Sequence, residues 1–160
     1  TIEDQRADLV EMDINELTEL LLRDIRLRFN EQIDIVYEAY IFPKKVAVDA
    51  LLYFSILDNL VENAFKFNPA AVRQIRFSWT ENPSGDLELS IVDNGLGLGT
   101  ADVEKIFEKF YRRKEHSSKV GLGLGLYYVH ICAQKMNWSI KAKNNPQGGA
   151  HFILTIPIKK

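Results

Sequence analysis

The sequence holds a single cysteine, Cys132, so it cannot close an internal disulfide. It has no apolar run of the roughly 18 residues that a membrane-spanning helix needs, and no charged-then-apolar leader at its start. A basic surplus is also missing. The formal net charge of -2 argues against a surface built to neutralise many phosphates, so nucleic acid is not an expected partner. Neither of the two common phosphate-binding patterns, GxGxxG and GxxxxGK[ST], occurs anywhere in the chain. What is present is 160 residues, 46% of them hydrophobic and evenly spread, enough for one soluble domain with a real core. The chain opens on "TIEDQRADLVEMD" without an initiator methionine. It is therefore expected to be a cytoplasmic fragment of a longer protein, with any targeting signal or membrane anchor lying elsewhere.

"MDINEL" reads as a helix start. Asp13 is the N-cap, Glu16 completes a capping box, and Met12 and Leu17 are spaced for a hydrophobic staple. Ile14, Leu17, Leu21, Ile25 and Phe29 recur at helical spacing and predict an amphipathic helix of roughly 16 residues. "IDIVYEAY" and "KVAV" predict short strands on either side of a turn at Pro43, and Asp49 caps a second helix that runs to Phe67 and stops before Pro69. "VRQIRFSWT" and "DLELSIVD" predict a hairpin around "ENPSG". After "NGLGLGT" come a short helix around "DVEKIFEKF", a basic polar loop, a glycine-rich start to the helix "GLGLYYVHICAQKM", and two closing strands around "NPQGG". The pattern predicts an α+β layer of helices on one face of a mixed sheet.

Three segments carry chemistry. In "DNLVENAFKF", Asn59, Asn63 and Lys66 fall within an arc of roughly 60° on one side of the second helix, while Leu52, Ile56, Leu60 and Phe67 recur on another. An amide oxygen can ligand Mg²⁺, and a lysine can meet the phosphate charge such an ion bridges. The plainer alternative is an exposed Glu62–Lys66 pair with asparagines that simply solvate the helix. "SIVDNGLGLG" ends a strand on Asp93 and continues through Gly95 and Gly97, where backbone can turn closely around a ligand. An ionised aspartate accepts only, so it can receive the exocyclic amine of adenine and would repel the carbonyl of guanine. An ordinary "DNG" turn is the alternative. In "GLGLGLYYV", Gly121, Gly123 and Gly125 lead into a helix whose free N–H groups make an anion site. Between the glycine segments, a loop carrying Arg112, Arg113 and Lys119 is a candidate lid over phosphates, pinned by Phe107 and Phe110. A solvated charged loop is the alternative for each of its cations.

Taken in order, "NLVENAFKF", "DNGLGLG", "FEKFYRR" and "GLGLGL" resemble the N, G1, F and G2 boxes of the catalytic and ATP-binding domain of sensor histidine kinases, within the superfamily shared with gyrase, Hsp90 and MutL ATPases. The resemblance covers nearly the whole chain. It implies a Bergerat-type α/β sandwich, with a mixed, mostly antiparallel sheet backed by three helices. Residues 1–12 would end a linker from a dimerisation domain, and 13–160 would form the catalytic domain. Its cofactors would be ATP and Mg²⁺. Asn63 would coordinate the metal, Asn59 and Lys66 would act beside the phosphates, and Phe67 would line the site. Asp93 would read adenine, with Gly95, Gly97 and Leu98 shaping that end. Gly121, Gly123 and Gly125 would face the phosphates, Leu124 and Leu126 would wall the pocket, and Arg112 and Lys119 would reach in from the lid. Thr155 is a candidate partner of Asp93, a half-buried strand threonine being the simpler account. Two departures stand out: Leu96 replaces the usual proline of the first glycine turn, and Leu122 replaces a frequent threonine or serine.

The ATP-hydrolysing relatives place a glutamate one turn before the metal-binding asparagine, where this chain has Asn59. An amide is no general base at neutral pH, so a phosphoacceptor on another domain is expected instead of water. None of His116, His130 and His151 is followed by an acidic residue as the family's acceptor histidine is. The acceptor helices are therefore expected before Thr1, on the dimerisation domain of a homodimeric parent that passes phosphate to a response regulator; this fragment alone should be monomeric. The alternatives are a catalytically degenerate ATP-binding or docking module of the same fold, and a serine kinase or ATPase of the superfamily.

Overall fold

The computed structural model describes residues 2–41, 43–99, 103–111 and 124–158. α1 (Ile14–Phe29) starts where the Asp13 carboxylate accepts the N–H groups of Asn15 and Glu16, and it buries Ile14, Leu17, Leu21, Leu22, Ile25 and Phe29. α2 (Ala50–Lys66) starts in the same way, with Asp49 accepting from Leu51 and Leu52. α3 (Gly125–Lys135) has no side-chain cap at its N-terminus.

A five-stranded sheet carries these helices, in the order β2 (Asp34–Glu38), β4 (Gln74–Glu81), β5 (Leu87–Asp93), β7 (Ala150–Ile156) and β6 (Ser139–Asn144). β2 runs parallel to β4, and every other pairing is antiparallel. Alternation does the sorting. Ile75, Phe77 and Trp79 on β4, Leu87, Leu89 and Ile91 on β5, and Phe152, Leu154 and Ile156 on β7 are all buried in the one core. A hydroxyl chain runs through the α1–α2 packing: Thr18 Oγ1 donates to the Ile14 carbonyl at 2.6 Å and meets the Tyr53 hydroxyl at 2.7 Å, so neither buried group is left unpaired.

The strands flanking Pro43 enter different sheets: β3 (Lys45–Val48) joins β1 (Val10–Asp13) in a separate two-stranded sheet, while β2 joins β4. β1 thus draws Val10–Met12 into a sheet, and residues before it contact the domain. The Tyr127 hydroxyl donates to Glu3 at 3.0 Å, and the Asp8 N–H donates to the Asp49 carboxylate at 2.9 Å. Residues 103–110 form turns and not a short helix. Phe107 is buried against Phe152 and His130, whereas Phe110 is 60% exposed and pins nothing in the core.

The β6–β7 turn sets how closely the sheet approaches the end of β5. A Cβ on Gly149 would lie 1.8 Å from the Asp93 carbonyl oxygen, and its φ of +86° is itself unfavourable for a side chain. At Gly148, φ is +104° but a Cβ would meet nothing within 4 Å. Gly148→Ala should therefore cost only backbone strain, about 1–2 kcal/mol, and Gly149→Ala about 3 kcal/mol or more, because the added methyl drives backbone apart. Urea unfolding of the two variants checks this; equal losses would mean that the contact with Asp93 is unimportant.

Candidate functional site

Asp93 ends β5 and is 8% exposed. Its Oδ1 accepts the Gly95 N–H at 2.9 Å and the Ala150 N–H at 3.2 Å. Burial pushes its carboxyl above the usual range, and the two backbone donors pull it partly back. Both bonds fall on one oxygen, so Oδ2 has no partner among the described residues. It is not sealed in the core either, since among the described residues no buried side-chain oxygen or nitrogen lacks a partner.

The chain after Asp93 is held from two sides. A Cβ on Gly95 would lie 2.8 Å from the Phe67 carbonyl oxygen, which also accepts the Leu96 N–H at 3.1 Å. Leu96 thus supplies a donor that a proline could not, and this bond ties the turn to the end of α2. Gly97, at φ +74°, lies against Asn144 Oδ1 and the Gly149 carbonyl, 2.9 and 3.0 Å from where its Cβ would stand. Leu98 is buried, and its N–H donates to Asn144 Oδ1 at 2.6 Å. Asn94 faces the other way: it accepts from Asn68 Nδ2 and from the Gln74 N–H, and donates to the Val72 carbonyl.

Asn59, in the polar stripe of α2, lies beside the start of α3. Asn59 Nδ2 donates to the Ser55 carbonyl at 2.7 Å, and its Oδ1 would be 3.3 Å from a Cβ on Gly125. Leu124, Gly125 and Leu126 are half-buried here, and the Tyr128 N–H donates to the Leu124 carbonyl at the start of α3, where no side chain caps the first-turn N–H groups. Asn63 is half-buried, and Lys66 is exposed in the last turn of α2, next to Phe67, whose N–H caps back to the Asn63 carbonyl. Ile56 and Leu60 are buried as expected, whereas Leu52 and Phe67 are only half-buried.

The alternative reading of an exposed Glu62–Lys66 pair is not what forms. Glu62 and Asp58 both bind Arg28 of α1, each at 2.8 Å, and no ion pair of Lys66 occurs among the described residues. Thr155 is not a partner of Asp93; it lies opposite Glu88 on β5 and donates to that carboxylate at 3.4 Å. Arg112, Arg113, His116, Lys119, Gly121, Leu122 and Gly123 lie outside the described residues. Asn68, Asn94, Asn144 and Gly149 were not singled out from sequence. "NPQGG" was legible as a turn, but its contact with Asp93 comes only from the sheet pairing of β5 with β7.

The arrangement offers, in one neighbourhood of the fold, a buried carboxylate with one open oxygen, a tightly held glycine loop, an amide-lined helix face and an uncapped helix N-terminus. Residues 48–160 match the family described as histidine kinase-, DNA gyrase B- and HSP90-like ATPase. The sensor protein RprX of Bacteroides fragilis is 32% identical over 156 residues, which is 94% of this chain and 30% of RprX. The sensor-like histidine kinase SenX3 of Mycolicibacterium smegmatis is 31% identical over 153 residues, 94% of this chain and 39% of SenX3. The chain thus spans well under half the length of these curated relatives. The crystal structure of full-length ShkA in complex with AMPPNP shares the fold, with a TM-score of 0.77 at 24% identity, over 96% of this chain and 32% of that one. The chain belongs to the histidine kinase-, DNA gyrase B- and HSP90-like ATPase family.

Proposed function

We propose that this chain is the ATP-binding catalytic domain of a sensor histidine kinase, which hands the γ-phosphoryl group of ATP to a histidine on a separate dimerisation domain of the same parent. The observation that carries it is the Asp93 carboxylate, fixed through Oδ1 by two backbone donors with Oδ2 free to accept the adenine amine. Gly95, Gly97 and Leu98 shape that end. The triphosphate lies toward the uncapped start of α3, where Gly125 keeps side-chain bulk away from Asn59 and Leu124 and Leu126 wall the site. Lys66 adds positive charge from the end of α2, and Arg112 and Lys119 add theirs from the lid, with Gly121 and Gly123 beside the phosphates.

Among the described residues no group of three or more acidic, histidine or cysteine side chains could hold a metal by itself. Mg²⁺ keeps several waters and shares phosphate oxygens with only one or two protein ligands, so a single amide oxygen suits it. Asn63 would supply the protein oxygen. When bound, Mg²⁺ neutralises charge on the β- and γ-phosphates. The residues of this chain orient the nucleotide; an imidazole nitrogen from the dimerisation domain attacks the γ-phosphorus as the bond to the bridging oxygen breaks, and ADP leaves. Water is a poor competitor, because Asn59 is no base and Glu62 is turned to Arg28. The parent is read as a homodimer that serves a response regulator, with this domain in the cytoplasm; among the described residues no helix is long and apolar enough to cross a membrane.

Asp93→Asn should weaken ATP binding about 10- to 100-fold in calorimetry and erase the preference for ATP over GTP. Burial raises the Asp93 pKa, so wild-type affinity should begin to fall at a higher pH than an exposed carboxylate would give as the solution is acidified. Without nucleotide the sign reverses. A raised folded-state pKa contributes stability that is present below the unfolded value and lost as pH rises through the folded one. The Asn variant should therefore melt at or above wild type at neutral pH, with the gap closing in acid. A variant that keeps its ATP affinity would remove the adenine site.

Asn63→Ala should keep the fold and lower phosphotransfer to an added histidine-bearing dimerisation domain by about 100-fold or more. Undiminished transfer would discard Asn63 as the metal ligand. The isolated chain, without an acceptor, should label itself weakly with radioactive ATP. The product on the added domain should be lost in acid and kept in base, as phosphohistidine is; an acid-stable product would point to a serine kinase.

A further inference from the structure

One side of the proposed adenine end is registered against one short stretch, from the end of β6 to the start of β7. Gly149 lies against the Asp93 carbonyl, Ala150 donates to the Asp93 carboxylate, and Gly97 is wedged between Asn144 and the Gly149 carbonyl. Asn144, the last residue of β6, touches the glycine loop with both ends of its amide. Oδ1 accepts the Leu98 N–H at 2.6 Å, and Nδ2 donates to the Gly99 carbonyl at 3.1 Å. The two bonds fall on the peptide units on either side of the one that joins Leu98 to Gly99. We infer that Asn144 is a positioning residue for nucleotide binding: it holds residues 97–99 in the shape that presents Leu98 and the Asp93 carboxylate to adenine.

Three features separate this from an incidental surface contact. Asn144 is exposed and ends an edge strand, so core packing does not call for an amide there. Its two bonds reach 45 and 46 positions back along the chain, to the loop and nowhere else. The loop itself needs such a partner, because Gly97 and Gly99 both sit at positive φ, +74° and +57°, where glycine is free to move unless held. Leu96 fixes the proximal side through Phe67, and Asn144 fixes the distal side. Preorganised in this way, the loop has less ordering left to do when nucleotide arrives, and the gain appears as affinity. The inference rests on the proposed ATP site.

The test compares wild type, Asn144→Ala and Asn144→Asp by calorimetry with Mg·ATP, by thermal unfolding, and by amide hydrogen exchange at Leu98. Asn144→Ala should bind ATP about tenfold more weakly, exchange the Leu98 N–H faster, and unfold close to the wild-type midpoint. Asn144→Asp keeps the acceptor for Leu98 and loses the donor to Gly99, so it should protect the Leu98 amide better than Asn144→Ala does. Unchanged ATP affinity in Asn144→Ala, with wild type binding normally, would overturn the positioning role and leave the ATP site standing. A lowered midpoint without an affinity change would overturn it equally. If wild type binds no ATP, the proposed function fails first and this inference with it.

Discussion

A single carboxylate oxygen, Asp93 Oδ1, accepts backbone N–H groups from two separate stretches of chain, and the rest of the site depends on that junction. One donor, Gly95, belongs to the loop after β5; the other, Ala150, opens β7. Desolvation of the carboxyl is unfavourable, and two directed donors offset part of it. The same bonds join a loop to a sheet, so the group that would read the ligand also fixes the geometry of its surroundings. Gly149 is the condition for this: any side chain there would push β7 away from Asp93 and break the Ala150 bond.

α2 provides the second half through a different device. Its apolar side is consumed by the core, through Tyr53, Ile56, Leu57, Leu60, Val61 and Ala64, so its polar residues are confined to what remains. Asn59 is pinned by its own backbone, at the Ser55 carbonyl, which directs the amide oxygen toward the first turn of α3. The neutral amide lets the two helices approach closely without placing charge at the uncapped N–H groups. Helix-to-helix packing therefore aligns the amide stripe with the anion-attracting end of α3.

Local signals were the legible part of this fold. Both N-caps, Asp13 and Asp49, sit where Ser/Thr/Asp/Asn chemistry places them, and the hairpins around "ENPSG" and "NPQGG" follow from their turn residues. The break at Asp93, Gly95 and Gly97 was visible because the alternation of β5 stops there and glycines follow. Pairing over long separations was not visible. β2 and β3 are adjacent in sequence yet enter different sheets, because β1 competes for β3 and the parallel edge of β4 takes β2, and no periodicity encodes that choice. The partner of Glu62 was hidden for a related reason. The i,i+4 rule knows only its own helix, and Arg28 reaches across from α1 with a planar fork that suits two carboxylates better than one lysine does. The turns over 103–110 bury Ile106 and Phe107 without a helix, since two apolar anchors suffice to dock a short connection.

That cross-helix pairing also sorts charge around α2. Asp58 and Glu62 are the only acidic side chains of the helix, and both are drawn to Arg28. On the helical wheel they lie about 100° and 60° from Asn59, on the side away from Asn63. The side that carries Asn59, Asn63 and Lys66 is left with two neutral amides and one cation. A highly charged anion approaching there meets no carboxylate of α2, and neither acid is free to deprotonate a water beside it. As surface ion pairs the Arg28 contacts contribute little to stability. Their larger consequence is directional: they hold negative charge against α1, on the flank of α2 away from Asn63.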